Sequence, residues 1–142
     1  MLGNELDQLL SALAQEKLRL RDLHKKQVPL FLKIAPDLEA EQIRVIAELL
    51  QKYRIDAVIA TNTTITRDTV SHLPFGQETG GLSGEPVRRL STSVVSQLHQ
   101  HLRGTVPIIG VGGILSGQDA REKISAGASL VQVYSGSIYK GP

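Results

Sequence analysis

The chain has 142 residues, of which 41% are hydrophobic and 21% charged, which suits one globular domain and excludes a disordered chain. Its formal net charge is only +2 and 4% of its residues are aromatic, so the composition gives no support to nucleic-acid binding. Cysteine is absent, which excludes disulfides and thiolate chemistry. No apolar run approaches the roughly 20 residues that span a bilayer, and no targeting segment is expected.

The leucine pattern predicts an N-terminal helix. Leucines recur at three-, four- and seven-residue steps over residues 4–26, with charged residues between them. Further along, apolar runs rich in β-branched residues alternate with helical patterns. Asp37 is the predicted N-cap of the helix at 38–53. Ser116 and Asp119 form an approximate capping box at the start of the helix at 116–126. The predicted strands lie at 28–35, 57–60, 106–111 and 130–134, the predicted helices at 38–53, 86–103 and 116–126, and none is predicted after the last strand.

Polar residues at two of the predicted strands point to a site. Lys33 lies between Leu32 and Ile34, and a buried strand does not tolerate an ammonium without a partner, because desolvating a charge is costly. Lys33 therefore lies either at a sheet edge in water or opposite an anion inside a site, and the second is favoured. The second strand ends in the polar residues 61–64, which could make turns or, at the end of a strand in an α/β protein, bind a ligand.

Glycine-rich turns precede two of the predicted helices. Gly112 and Gly113 follow the third strand, and glycine can take positive φ and lie close to a ligand. The helix N-terminus behind them suits a phosphate. A second cluster at 79–84 ends a connection over 65–83, long enough to be functional or mobile. A single glycine pair could mark a plain strand-to-helix turn, but the repeated pattern favours a phosphate site. His99 and His101, two residues apart, do not share a helical face, so no metal site is predicted.

Alternating strands and helices predict a parallel sheet of right-handed βα units. An open doubly wound sheet and part of a (β/α)₈ barrel both fit. The dinucleotide-binding version of the first is disfavoured, because no Gly-x-Gly-x-x-Gly follows a strand with an acidic residue about 20 positions further on. A closed barrel needs about 250 residues. We therefore expect about four βα units, as a piece of a longer chain.

Five segments resemble the quinone-dependent, membrane-associated class (class 2) of dihydroorotate dehydrogenase. They lie at 28–37, 60–64, 79–84, 106–113 and 127–136, in order and with matching intervals. The resemblance implies that residues 1–142 are the C-terminal half of an FMN-containing (β/α)₈ barrel. It also implies oxidation of dihydroorotate to orotate in pyrimidine biosynthesis, with FMN as cofactor and quinone as acceptor. In a bacterium the enzyme would lie peripherally on the cytoplasmic face of the inner membrane, through a part absent from this chain.

The resemblance also implies roles for individual residues. Lys33 would stabilise the reduced flavin ring, and Tyr134 and Ser135 would bind the phosphate through backbone N–H groups. No residue matches the serine that acts as base in this class, so no catalytic base is assigned and the base is expected upstream. The residues that match substrate contacts are Asn62 and Thr63. Those that match FMN contacts are Lys33, Thr61, Gly84, Gly113, Tyr134 and Ser135.

Two other interpretations remain. Another FMN-dependent barrel oxidoreductase would share the phosphate site, although residues 61–63 match the pyrimidine contacts and argue against it. A non-catalytic half-barrel binding or assembly module is the other, because an isolated half leaves two open strand edges and an uncovered apolar face that favour self-association. We expect the chain alone to lack dihydroorotate oxidation activity.

Overall fold

The computed structural model describes residues 2–141, so Met1 and Pro142 of the predicted domain lie outside it. Four strands alternate with helices, as the sequence predicted, and a 3₁₀ turn at Glu85–Val87 precedes the third helix. The strands are β1 (Phe31–Ile34), β2 (Ala57–Ala60), β3 (Ile108–Val111) and β4 (Leu130–Gln132). The helices are α1 (Leu2–His24), α2 (Ala40–Lys52), α3 (Arg88–Leu102), α4 (Gly117–Ser125) and α5 (Ser135–Lys140).

All four strands are parallel and lie in the order β1-β2-β3-β4. The buried core lies between the sheet and α1–α3, and it includes Val58 and Ala60 of β2, both fully buried. Helix α4 packs on the same face, against Gly110. A sheet in sequence order with its helices on one face is a segment of a (β/α)₈ barrel rather than a doubly wound sheet. The opposite face is open, and one row across it is Lys33, Ile59, Ile109 and Leu130.

The prediction that Asp37 is the N-cap of α2 is wrong. Glu39 occupies that position, and its N–H donates to the side-chain oxygen of Gln42 at 2.8 Å. The Asp37 carboxylate instead accepts hydrogen bonds from the Thr64 hydroxyl and from the Ile65 N–H at 3.2 Å. Asp37 therefore joins the end of β1 to the segment after β2, a tertiary contact that competes with helix capping.

The expectation that no helix follows the last strand is also wrong. Strand β4 ends at Gln132, and α5 begins at Ser135. Helix α5 has only six residues, too few to show a helical periodicity in the sequence. It packs tightly, because a Cβ on Gly136 would lie 2.3 Å from the carbonyl oxygen of Ile114. Strand β1 is likewise shorter than predicted, and α1 ends at His24.

The predicted Ser116 cap at the start of α4 is confirmed, whereas the reciprocal half of a capping box, a hydrogen bond from the Ser116 N–H to the Asp119 carboxylate, is not among the hydrogen bonds of the described residues. Ser116 is the N-cap, and its hydroxyl oxygen accepts from the Asp119 N–H at 3.2 Å. The Asp119 carboxylate accepts from the Ser116 hydroxyl at 2.8 Å and from the Leu115 N–H at 3.0 Å, and it also pairs with Arg88. These contacts hold the pKa of Asp119 at about 2, the Ser116 hydrogen bond contributing most.

The connection at 65–83 consists of turns fastened to one another. Thr64 and Leu82 form an antiparallel bridge that joins its two ends. The guanidinium of Arg67 donates to the backbone carbonyls of Glu78, at 3.1 Å, and of Gly80. The loop therefore returns to the strand ends in a fixed conformation.

Within residues 2–141, no helix combines the length and the apolar character that a membrane crossing needs.

Candidate functional site

The carboxyl ends of the four strands surround a cavity of about 270 Å³. This is the end at which parallel α/β folds bind ligands. The structure brings together at this cavity all eight residues for which the resemblance implies a contact with FMN or substrate: Lys33, Thr61, Asn62, Thr63, Gly84, Gly113, Tyr134 and Ser135.

The structure places Lys33 at both locations that the sequence left open, while the anion opposite it stays a prediction. It lies on β1, at one edge of the described sheet, and it also lines the cavity. Its side chain is exposed, and none of the ion pairs within residues 2–141 includes it. The cavity therefore contains a cation whose charge no carboxylate of the described residues neutralises.

The segment after β2 is held by its backbone. The Thr61 N–H donates to the Val111 carbonyl at 3.0 Å, and the Asn62 N–H donates to the Ile34 carbonyl at 2.7 Å. Both neighbouring strands thus fix this segment, while the Asn62 side chain stays exposed at the cavity. Thr61 is fully buried, and its hydroxyl donates to the Asn62 carbonyl at 2.9 Å. Of Thr61 and Asn62, Asn62 is the better placed to reach a ligand with its side chain.

Glycine is required at the two turns for different physical reasons. Gly84 has φ +79°, and a Cβ there would meet only Pro86, at 3.9 Å, so the backbone conformation alone requires glycine. Gly113 has φ +69°, and a Cβ there would also lie 2.4 Å from the Cβ of Arg88. Within residues 2–141, neither the Gly84 N–H nor the Gly113 N–H donates one of the backbone hydrogen bonds of the turns and loops. These N–H groups remain available at the cavity.

The donor set of the cavity suits a phosphorylated flavin. Its lining combines an ammonium, several hydroxyls and the glycine N–H groups, and no carboxylate among the described residues lines it. Such a set favours an anion over a cation. Its apolar part suits the flat face of an aromatic ring, and it consists of Val87, Val111, Ile114 and Leu115. The residues therefore fit FMN.

Gln132 also lines the cavity, and the sequence analysis missed it. It lies at the end of β4, paired with Val111 across the sheet. Its signal in the sequence is the one that drew attention to Lys33, a polar residue within an apolar strand. Ser83 was missed as well, and its hydroxyl oxygen lies 2.9 Å from that of Ser135.

Comparison with known proteins gives a consistent result. A family model described as dihydroorotate dehydrogenase matches residues 3–142. The dihydroorotate dehydrogenase (quinone) of Nitrosomonas europaea is 62% identical over 138 residues, which are 97% of this chain and 40% of that protein. The enzyme of the same description from Thiobacillus denitrificans is 64% identical over 137 residues, 96% of this chain and 41% of that protein.

Solved structures agree. The crystal structure of DHODH from Eimeria tenella in complex with ferulenol superposes with a TM-score of 0.78 at 47% identity, over 82% of this chain and 31% of that one. The chain thus spans about two fifths of the length of the curated relatives it matches. Its four βα units form part of a (β/α)₈ barrel, and the chain belongs to the dihydroorotate dehydrogenase family.

Proposed function

We propose that this chain forms part of the active site of a quinone-dependent dihydroorotate dehydrogenase, binding FMN and the pyrimidine substrate. The observation that carries the proposal is the convergence of the eight singled-out residues on one cavity at the carboxyl ends of the strands. Its relatives described as dihydroorotate dehydrogenase (quinone) support the same activity. In this proposal residues 1–142 are the C-terminal half of the catalytic barrel.

FMN, when bound, supplies the hydride acceptor for the oxidation of dihydroorotate to orotate, and the electrons pass on to a quinone. The chain's own residues bind and orient. Asn62 and Thr63 hydrogen-bond the pyrimidine, and the charge of Lys33 stabilises negative charge that develops on the neighbouring ring. Gly84, Gly113 and the backbone at 134–135 hold the phosphate. The base that removes the substrate proton comes from the part of the enzyme upstream of this chain.

A flavin titration of the purified chain tests the proposal. We expect FMN to bind weakly, with a shift of its absorbance spectrum, because the phosphate contacts lie within the chain. Lys33→Ala should lower the affinity for both FMN and riboflavin, since it removes a contact to the ring. Lys26→Ala is the matched control, an exposed lysine outside the cavity. Absence of flavin binding, or equal affinity in both variants, would contradict the proposal.

Turnover provides an independent check. General base catalysis typically contributes about 10²–10⁴-fold, and an open half-barrel also loses substrate orientation. The chain alone should therefore not oxidise dihydroorotate. Measured turnover by a monodisperse monomer, without an added partner, would show that the placement of the base upstream is wrong.

In a bacterial cell we place the complete enzyme peripherally on the cytoplasmic face of the inner membrane, attached through the upstream part.

The open sheet face favours a second property of the chain, self-association. Phe31 on β1 is 44% exposed and Leu130 on β4 is 62% exposed, so apolar side chains remain uncovered at both sheet edges. Two copies would together supply the eight strands of a barrel. Light scattering should show a dimer that Leu130→Lys dissociates. Ile124→Lys, on an exposed position of α4, should leave it intact, and a monomeric parent chain would refute the association.

A further inference from the structure

Lys123 on α4 has a fully buried side chain, with 0% of its surface exposed. Its ammonium donates to the Arg88 carbonyl at 3.0 Å, to the Thr92 hydroxyl at 2.6 Å and to the Ser91 hydroxyl. Its aliphatic part lies against Gly110 of β3, where a Cβ would come within 3.2 Å of the Lys123 Cβ. The neighbouring strand thus leaves room for this lysine.

This arrangement carries an energetic cost. The three acceptors of the ammonium are uncharged oxygens, so no carboxylate accepts from it directly. Burial lowers the pKa of Lys123 to about 8, and the charge of Arg88 acts in the same direction, opposed by Glu122 and Asp119. A well-packed apolar side chain often replaces a buried charge without loss of stability. The three hydrogen bonds to α3 are what distinguish Lys123 from an apolar side chain of similar volume.

The contacts of Lys123 connect it to residues that support the wall of the cavity. All three acceptors belong to the first two turns of α3, which directly follow Gly84 and the 3₁₀ turn. The Ser91 hydroxyl also lies 3.4 Å from the Gly112 carbonyl, and Gly113 packs on Arg88. Lys123 thus joins α4 to the backbone that supports both glycine turns. It does not itself line the cavity.

We propose that Lys123 is a positioning residue for the phosphate end of the cavity. It holds the start of α3 against the turn at 112–113, so that the N–H groups of Gly84 and Gly113 keep the spacing that a phosphate requires. The identity of the ligand rests on the proposed function, whereas the positioning of the two turns is a property of the ligand-free chain.

The first measurement is amide hydrogen exchange of the ligand-free chain. Lys123→Met keeps most of the volume and removes the donors, and Arg88 O still accepts from the Ser91 and Thr92 hydroxyls. Losing hydrogen bonds from a charged group should speed exchange of the Val87 N–H, which donates to the Gly84 carbonyl at 3.2 Å, by about tenfold or more, with amides of α2 unchanged. Val95→Ala is the control, because it trims the core face of α3 away from the cavity.

The second measurement compares FMN with riboflavin, which lacks the phosphate. Lys123→Met should weaken FMN binding by about tenfold and leave riboflavin binding unchanged, and Lys123→Arg should restore part of the FMN affinity. A general loss of structure would weaken both ligands. An equal loss for both ligands, or unchanged exchange of the Val87 N–H in the folded variant, would overturn the proposal.

The two measurements separate the possible failures. If the parent chain binds neither flavin, the proposed function fails at this chain, and hydrogen exchange still decides the role of Lys123. If Lys123→Met does not fold, Ser91→Ala removes one acceptor and the contact to Gly112. It should then give the same selective acceleration of exchange at the Val87 N–H, and uniform or unchanged exchange would refute the positioning role.

Discussion

Replacing Gly113 by alanine should destabilise the chain through two effects that add. A non-glycine residue in a left-handed conformation costs roughly 1–2 kcal/mol, and Gly113 has φ +69°. The new Cβ would also lie 2.4 Å from the Arg88 Cβ and 2.9 Å from the Arg88 nitrogen, so α3 must move. Forcing extra volume into a packed site typically costs about 1–3 kcal/mol. We expect a total loss of about 2–5 kcal/mol in the free energy of unfolding.

Gly104→Ala separates the two effects. Gly104 has φ +80° at the end of α3, but a Cβ there meets no atom within 4 Å. This variant should lose only the conformational part, roughly 1–2 kcal/mol. Urea denaturation followed by circular dichroism, with equal m-values in all chains, measures both losses. Equal losses in the two variants would refute the packing of the glycine turn on α3, and with it the physical link between the cavity and that helix.

Four further predictions concern single residues. Ser116→Ala should cost about 1 kcal/mol in urea denaturation, and no loss would refute its capping role. Because the folded pKa of Asp119 lies below the ordinary value, its stabilisation is present above pH 4 or so and is lost as the pH falls towards about 2. Asp119→Asn should therefore reduce the dependence of the free energy of unfolding on pH in the acid range, and an unchanged pH profile would contradict this. In the complete enzyme, Asn62→Ala should weaken substrate binding by about 1–3 kcal/mol with FMN retained, and equal loss of both would be inconsistent with its role. Lys33→Ala in the complete enzyme should slow flavin reduction, measured by stopped flow, far more than it lowers stability, and the parental rate would refute its role.

Local patterns predicted most of the architecture, because strand and helix periods are properties of short segments. Strand β2 was predicted with its observed bounds, and the Ser116 cap was found from its spacing to Asp119. The miss at Asp37 depends on a contact between distant segments, whereas α5 was missed because six residues show no helical periodicity. Asp37 caps no helix because Thr64, 27 residues away, donates to it.

Lys123 shows the same limit in the site. A lysine in an amphipathic helix is ordinarily exposed, so its sequence position carries no sign of burial. Only the packing of α4 on Gly110 and on the start of α3 puts it inside. The motifs around the cavity were easier to recognise, because all but the glycine turn at 79–84 lie at the end of a strand, and parallel strands bring those ends together.

The order of the strands has a consequence for how the chain acquires its structure. Within the described sheet each strand pairs only with its neighbours in sequence, so no strand waits for a partner several units later. Each pairing closes a loop the length of one βα unit, which is shorter than the loop that pairing with a non-consecutive strand would close. A ribosome releases β1 and α2 before β2, and β2 before β3, so each βα unit meets an already formed edge as it emerges.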